Sequence, residues 1–373
     1  MTTPRSSVFE LSVIIPTYNE SKNIPELLRR IARVVVEKDI PCEVIVVDDN
    51  SPDGTAEAAK NVEIPIVVRV IKRTGERGLS QSVVDGLRIA QGMYVLVMDA
   101  DLQHPPESIP NLLAAVRTGA DFVIGSRYVS GGRTNDFSFY RKLNSRVATL
   151  LTLPLVGRNA LDPMAGFFCL RRDLIDTSPL NPIGYKIGLE LLVKCSPQNV
   201  VEVPIRFSSR GAGESKLNLA EQLNYLRHLR RLYDWRWPNL SQIGMFCAVG
   251  TSGMIVDLTL MTLLMYVGMA FPLARIASIA VAMVSNFFLN RWMTFLRARQ
   301  GDWSRQLPKF VAACSLGLVI NWSISNALWI LIPSLRWAYQ LFCVVGIITG
   351  TASNYILSKY VVFGKKKAQA AHE

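Results

Sequence analysis

Asp99, Asp101 and Gln103 fall at alternate positions at the end of an apolar run, in the segment VMDADLQHPPES (97–108). Two carboxylates two residues apart suit a hard divalent cation. Magnesium usually takes one or two protein carboxylates and completes its shell with phosphate oxygens and water. In extended backbone alternate side chains share a face, so the three groups are expected to converge. The plain alternative is a polar strand end with a proline turn. His104, Pro105 and Pro106 follow at once and read as the turn that orders the acids, not as a catalytic base. Further acids hold comparable places: Glu20 comes after the apolar run LSVIIP, and Asp48 and Asp49 follow CEVIVV.

The elements that must position these groups are legible as alternating runs. Residues 11–16, 42–49, 64–72 and 93–101 read as buried strands. Residues 23–36 carry apolar side chains at helical spacing, a short helix is expected around 54–62, and 78–92 reads as a helix closed by Gly92 as its C-terminal cap. Strands alternating with helices imply a mostly parallel α/β sheet covered on both faces. Ligands of such sheets bind outside the carboxyl ends of the strands, where the acids lie. No GxGxxG follows the first strand and no GxxxxGK[ST] occurs, which removes a Rossmann dinucleotide site and a P-loop.

The chain has 373 residues, enough for two domains. Half of its residues are hydrophobic, and the excess lies beyond about Pro238, where apolar stretches of spanning length dominate. The net charge of +12 is compatible with nucleic acid, anionic lipid or phosphorylated substrates. Six cysteines without a CxxC pair give no disulfide framework or zinc site. The first apolar run is too short for a signal peptide, so the first domain is expected on the cytoplasmic side.

The segments SVIIPTYNE, VVDDNSPDGT, RGLSQSVVDGL, DADLQHPPE, GSRY, FYRK, DPMAGFF and GAGESKL occur in this order across residues 12–217. Together they resemble the polyprenol-phosphate (dolichol-phosphate) mannose synthases, family 2 glycosyltransferases of the GT-A fold. The resemblance implies a Rossmann-like catalytic domain over 1–218. It also implies inverting transfer of mannose from GDP-mannose to a polyprenyl (dolichyl) phosphate, with Mg²⁺ or Mn²⁺ as cofactor. By position, Pro16, Tyr18, Glu20, Val47, Asp48 and Asn50 match residues that hold the donor nucleotide; some relatives carry a third aspartate where this chain has Asn50. Asp99, with Ala100 beside it, matches a donor-binding carboxylate near the sugar, and Asp101 and Gln103 match the metal ligands. Arg210 and Lys216 match residues that grip the donor diphosphate. Arg127, Arg141 and Ser145 match residues that meet the acceptor phosphate, and Asp99 and Arg127 are the implied catalytic pair. The acceptor would be its own nucleophile, because a phosphate monoester is largely ionised at pH 7. No general base is then required, which suits a chain with three histidines. Relatives that use UDP-glucose often have Asp at the place of His104, so the histidine favours mannose; glucose transfer from UDP-glucose is the alternative.

Residues 219–240 interleave leucines at helical spacing with Arg227, Arg230, Arg231 and Arg236 and end in Trp235 and Trp237. This suits a helix lying on anionic headgroups or packed on the domain, and not a nucleic-acid site, because a membrane domain follows. In 241–373, four stretches of spanning length are expected, at about 243–265, 273–295, 308–332 and 339–361. Basic residues cluster before the first, between the second and third, and after the fourth. The positive-inside rule therefore places both termini in the cytoplasm. The segment 245–258 aligns without gaps on 309–322, and 285–295 on 353–363, so a two-helix hairpin is duplicated. This half resembles the GtrA-like membrane family. Asp257, Asn286, Asn321 and Asn354 are polar groups in or near apolar spans and should face other helices. They would either join the repeats or line a lipid-phosphate or flipping path.

Overall fold

The computed structural model describes residues 9–75, 77–131, 133–134, 139–157, 160–175, 179–207, 219–334 and 339–364. The side chains of 132–146 and 207–220, and of scattered positions beyond 260, lie outside that description. Arg210 and Lys216 therefore lie outside the described residues, as do the side chains of Arg141, Ser145 and Asn321. The chain divides into two units, Met1–Arg236 and Trp237–Glu373.

In the first unit the chain runs β1 (Leu11–Thr17), α1 (Ile24–Glu37), β2 (Cys42–Asp48), α2 (Thr55–Lys60), β3 (Val67–Lys72), α3 (Leu79–Ile89), β4 (Tyr94–Val97), α4 (Ile109–Arg117) and β5 (Phe122–Ser126). It continues with β6 (Arg133–Thr134), α5 (Phe139–Val156), β7 (Phe168–Arg171), α6 (Ile187–Lys194), β8 (Val200–Pro204), β9 (Arg206–Phe207) and α7 (Leu219–Arg236). Seven strands form one sheet in the order β3-β2-β1-β4-β7-β5-β8, while β6 and β9 pair separately. The sheet is parallel except for β7, which runs antiparallel between β4 and β5.

β1 and β2 are buried along their whole length on both faces, as continuous Val/Ile-rich runs in a parallel sheet must be. α1, α2 and α4 close one face over Val13, Ile15, Val44 and Val46. α3 and α6 close the other over Ile14, Ile45, Val95 and Phe168. Each such side chain contributes about 1.5–3 kcal/mol by leaving water. The sheet order reverses at β1: β2 and β3 extend to one side and β4 to the other, so a crevice opens at their carboxyl ends.

Two local expectations are corrected. β4 ends at Val97, not at 101, because the N–H of Asp99 donates to His104 Nδ1 (3.1 Å) instead of continuing the ladder. α3 ends at Ile89, and Gly92 is not its cap. A Cβ at Gly92 would fall 2.5 Å from the N of Ser12, so glycine is required there for close approach of β1.

The second unit contains α8 (Pro238–Tyr266), α9 (Phe271–Leu289), α10 (Trp303–Leu331) and α11 (Tyr339–Leu357). Among the described residues, 238–266 and 276–294 have the length and apolar composition to cross a membrane. α9 and α11 each run into a wider π-type turn, Asn290–Thr294 and Ser358–Val362. The duplication is visible in the aromatic core. Phe246 meets Phe295 and Tyr355, at 6.3 and 5.5 Å between ring centroids. Their repeat counterparts make the same pairs, Phe310 with Phe363 (6.2 Å) and with Phe287 (5.7 Å). Phe295 and Phe363 stack on each other at 4.8 Å, a pair that maps onto itself when the hairpins are exchanged. Asn286 packs against Gly253, and Asn354 against Gly317, so tightly that a Cβ on either glycine would overlap the amide. Asp257 accepts a hydrogen bond from Ser278 Oγ (2.6 Å). Asp257, Asn286 and Asn354 thus face neighbouring helices, but each of these contacts lies within one hairpin, between α8 and α9 or between α10 and α11, and does not join the two repeats.

Candidate active site

The carboxyl ends of β1, β2 and β4 lie side by side, with Thr17 paired in register to Asp48 and the N–H of Met98 bonded to the carbonyl of Ile14. Pro16, Val47 and Ala100 are buried and form the floor. Tyr18 and Glu20 are half-buried above them; the N–H of Glu20 donates to Thr55 Oγ1 (2.9 Å) and its carboxylate accepts from Asn23 Nδ2 (2.7 Å). Asn50 sits exposed in a left-handed conformation (φ 57°), which an asparagine tolerates better than most side chains.

The acids at this edge have different fates. Asp48 is fully buried, and its oxygens accept from Thr17 Oγ1 (3.1 Å), Ser51 N (2.9 Å) and Ser51 Oγ (2.5 Å). Its carboxylate shapes the turn that carries Asn50. Asp49 is also buried and clamps both ends of the next loop, through Arg73 Nη1 (2.5 Å) and the N–H of Gly78 (2.7 Å). Asp99, Asp101 and Gln103 remain half-buried at the mouth.

Residues 98–103 are a turn, so the strand alternation expected to bring Asp99, Asp101 and Gln103 together does not operate. Leu102 takes a left-handed conformation (φ 62°), and the N–H of Gln103 folds back onto Asp101 Oδ1 (3.1 Å). His104 is buried, stacks on Phe167 at 5.3 Å, and holds the turn through Asp99 N–H. Burial pushes its pKa down to about 4, with Arg127 acting in the same direction and the carboxylates of Asp101 and Asp162 against it. The imidazole is neutral near pH 7, with Nδ1 as acceptor. The histidine therefore orders the turn, as its place in the sequence suggested.

Cations approach the same edge from elements beyond β4. Arg127, after β5, is forked onto Asp162 through Nε (2.9 Å) and Nη2 (3.0 Å). Asp162 is 2% exposed, and its own N–H donates to Glu202 Oε1 (2.9 Å), which also accepts from Leu161 N–H. Lys186, where α6 begins, feels Arg127, Asp99 and Asp162; burial and the Arg127 charge lower its pKa, while the carboxylates oppose them. Gly166 completes the wall: a Cβ there would stand 2.9 Å from Asp99 Oδ2 and 3.4 Å from His104 Cε1. Asp162, Lys186 and Glu202 have no local sequence signal, since each is tens of residues from its partners; only the quoted DPMAGFF segment flagged the first.

Asp101 and Gln103 carry oxygen donors at the half-buried mouth, the kind of group a hard divalent cation takes while sharing its shell with substrate phosphate. Among the described residues no group of three or more His, Cys, Asp or Glu is placed to enclose a metal.

Residues 12–178 match the model of the family described as "Glycosyl transferase family 2", and residues 245–363 match "GtrA/DPMS, transmembrane domain". A dolichol-phosphate mannosyltransferase of Pyrococcus furiosus is 41% identical over 357 residues, 95% of this chain and 99% of that protein. Proteins of the same name from Mycosarcoma maydis and Saccharomyces cerevisiae are 40% and 41% identical, covering 62% and 61% of this chain and 82% and 88% of their own lengths. Among solved structures, glucosyl-3-phosphoglycerate synthase of Mycobacterium tuberculosis aligns over 61% of this chain and 79% of its own, at 20% identity and a TM-score of 0.46. An identity of 41% over 95% of this chain and 99% of the Pyrococcus furiosus protein, with both family models matched, places this chain in the family of dolichol-phosphate mannosyltransferases.

Proposed function

We propose that the protein transfers mannose from GDP-mannose to a polyprenyl (dolichyl) phosphate at the cytoplasmic membrane face. The observation that carries this reading is that two kinds of group meet at one sheet edge, close enough to feel each other's charge. The half-exposed acids of the 98–103 turn are one kind, and Arg127, fixed by Asp162, is the other, with Lys186 nearby. In the reaction an oxygen of the lipid phosphate forms a bond to the anomeric carbon of mannose. The bond from that carbon to the diphosphate breaks with inversion, and GDP leaves with the electron pair.

Such chemistry demands that two anions be held together, and a guanidinium fork does this well. Arg127 meets the acceptor phosphate, a role that sequence position also gives Arg141 and Ser145, and sequence position gives Arg210 and Lys216 the donor diphosphate. Asp99 binds the donor beside its sugar. Pro16, Tyr18, Glu20, Val47, Asp48 and Asn50 frame the nucleotide, the buried Asp48 acting through the turn it orders. Asp101 and Gln103 would hold Mg²⁺ or Mn²⁺, which would offset charge on the departing diphosphate. No side chain removes a proton from the nucleophile, and His104, neutral and bonded to backbone, is not placed to do so.

The membrane face is supported by exposed apolar side chains on two adjacent helices of the first unit. Leu150 and Leu151 on α5 and Leu223 and Leu226 on α7 are 41–62% exposed, beside arginines that suit anionic headgroups. Tyr225 and Tyr233 of α7 bond to the carbonyls of Ala148 and Leu151 and join the two helices. The cytoplasmic orientation rests on the basic loops of the membrane half.

The test supplies the full-length protein in lipid nanodiscs with labelled GDP-mannose, a divalent cation and a polyprenyl phosphate. Labelled lipid-linked mannose that disappears on chelation is expected. No product, or a preference for UDP-glucose in competition, overturns the reading.

A further inference from the structure

Lys186 follows the short loop NPIGY, residues 181–185, and stands close enough to Asp99, Asp162 and Arg127 to feel their charges. Two prolines or glycines in five residues give this segment no regular structure to hold it. What holds it is α7. The N–H of Ile183 donates to His228 Nδ1 (3.2 Å), and Arg231 Nη1 donates to the carbonyl of Asn181 (2.7 Å). Gly184 adopts φ +71°, and a Cβ there would lie 3.5 Å from Glu221 Oε2 and 3.6 Å from Asn224 Cβ. Residues 221, 224, 228 and 231 share one face of a helix. That face follows the loop backbone residue by residue. A second anchor is buried beneath it: Glu190 Oε1 accepts from Asn181 N–H (2.6 Å) and Lys194 Nζ (2.6 Å).

The stripe does more than pack. His228 is fully buried, and among the described residues its Nε2 has no hydrogen-bond partner, nor does Glu190 Oε2, 3.8 Å from its Nδ1. Leaving buried polar atoms unsatisfied costs free energy that an apolar side chain would avoid. Packing alone therefore does not explain an imidazole there, whereas its bond to the Ile183 N–H does. Leu229 and Leu232 supply the apolar contact on the same helix, at 6% and 0% exposure.

We propose that His228 and Arg231 of α7 are positioning residues that fix loop 181–185 and thereby set Lys186 against Asp99 and Arg127. α7 also carries the exposed leucines at 223 and 226, so a helix suited to a lipid surface sets the position of a cation in the site. The inference rests on the mannosyl-transfer reading.

The test measures mannosyl transfer, kcat and KM for both substrates, in nanodiscs holding the full chain. The variants are Lys186→Met, His228→Leu, His228→Asn and Arg231→Ala, with the two α7 changes repeated in the Lys186→Met background. A displacement of order 1 Å at a reacting centre costs up to about a hundredfold, so His228→Leu and Arg231→Ala are expected to lower kcat/KM by about tenfold. His228→Asn, whose amide oxygen can accept from the Ile183 N–H, recovers most of that loss. With Lys186→Met already present, neither α7 change costs more than about twofold, because the group they position is gone. Equal losses in both backgrounds, or wild-type kinetics in the α7 variants, refute the inference and leave the mannosyl-transfer reading standing. Full activity of Lys186→Met refutes it as well. Arg231 is exposed, so its variant decides the matter if His228→Leu does not fold. Failure of the unaltered protein to make lipid-linked mannose would instead sink the underlying reading.

Discussion

Gly166→Ala adds one methyl group and tests whether the placement of Asp99 governs donor use. The new Cβ would stand 2.9 Å from Asp99 Oδ2, where ordinary contact begins near 3.4 Å. Something must move by about half an ångström. His104 cannot yield easily, because it is buried, stacked on Phe167 and bonded to the Asp99 N–H. The side chain of Asp99 is 37% exposed and swings outward instead. Since a misplacement of 1 Å costs about a hundredfold, a shift of half that size predicts a loss of roughly tenfold in kcat/KM for the sugar nucleotide. The strain falls on a half-exposed group, so the cost to stability stays near 1 kcal/mol, or about 2–4 °C in Tm for a unit of this size. Steady-state kinetics with labelled GDP-mannose and thermal unfolding of the same preparation measure both. Donor kinetics within twofold of wild type would refute the role of Asp99. A Tm drop large enough to account for the lost activity would refute the claim that only the carboxylate moves.

Asp101→Ala should abolish the response of turnover to added Mg²⁺ or Mn²⁺ while thermal unfolding stays near wild type; retained metal-dependent activity would remove Asp101 from the cation's shell. Asp162→Asn leaves the largely buried Arg127 without its carboxylate, and removing one partner of a buried pair costs about 3–5 kcal/mol. That is a Tm decrease of roughly 6–20 °C, read by calorimetry, and an unchanged Tm would show that the pair contributes nothing net. Gly253→Ala places a methyl into the Asn286 amide and should destabilise the membrane unit by about 1–3 kcal/mol, with Asn286→Ala in the same chain restoring most of the loss; additive losses in a detergent unfolding assay would contradict the contact.

The strands and helices around the site were legible because their signals are local. β1 and β2 carry the apolar runs Val13–Pro16 and Val44–Val47, and the acids that follow them could only lie at the carboxyl edge of a parallel sheet. The end of β4 was not legible. Met98 is apolar and fully buried, so hydrophobicity continues past the strand's last residue, and only the capture of the Asp99 N–H by His104 ends the strand. Gly92 misled for a similar reason: after a helix it reads as a cap, whereas its requirement is a long-range approach to Ser12. Arg127 with Asp162, 35 residues apart, and His228 with Ile183, 45 residues apart, meet only through the fold. Spacing can propose a carboxylate pair but cannot choose a partner for a guanidinium at that range. In the membrane half the opposite holds, because duplication turns a long-range contact into a pattern. The alignment of Gly253 on Gly317 and Asn286 on Asn354 is repeated by two glycine–asparagine contacts.

Residue type alone would not separate the acids that handle ligands from those that hold the fold; exposure together with partners does. Glu43, near the amino end of β2, is fully buried and receives Ser12 Oγ (2.6 Å), Gln91 N–H (2.7 Å) and Arg69 Nη1 (3.2 Å). A charge in so dry a place persists only with such partners, and once supplied with them it has little capacity left for a ligand. Asp48 and Asp49 lie at the opposite, ligand-facing edge, yet they follow the same logic: both are buried, and their oxygens accept from their own turn and the next loop. Asp99, Asp101 and Glu20 differ in keeping a half-buried carboxylate at the same edge. The distinction predicts how the acids respond to substitution. Replacing Glu43 or Asp48 with the isosteric amide should lower Tm before it changes donor KM. Replacing Asp99 or Asp101 should change kinetics and leave Tm nearly alone. The reverse order at either edge would show that burial is not what divides the two roles.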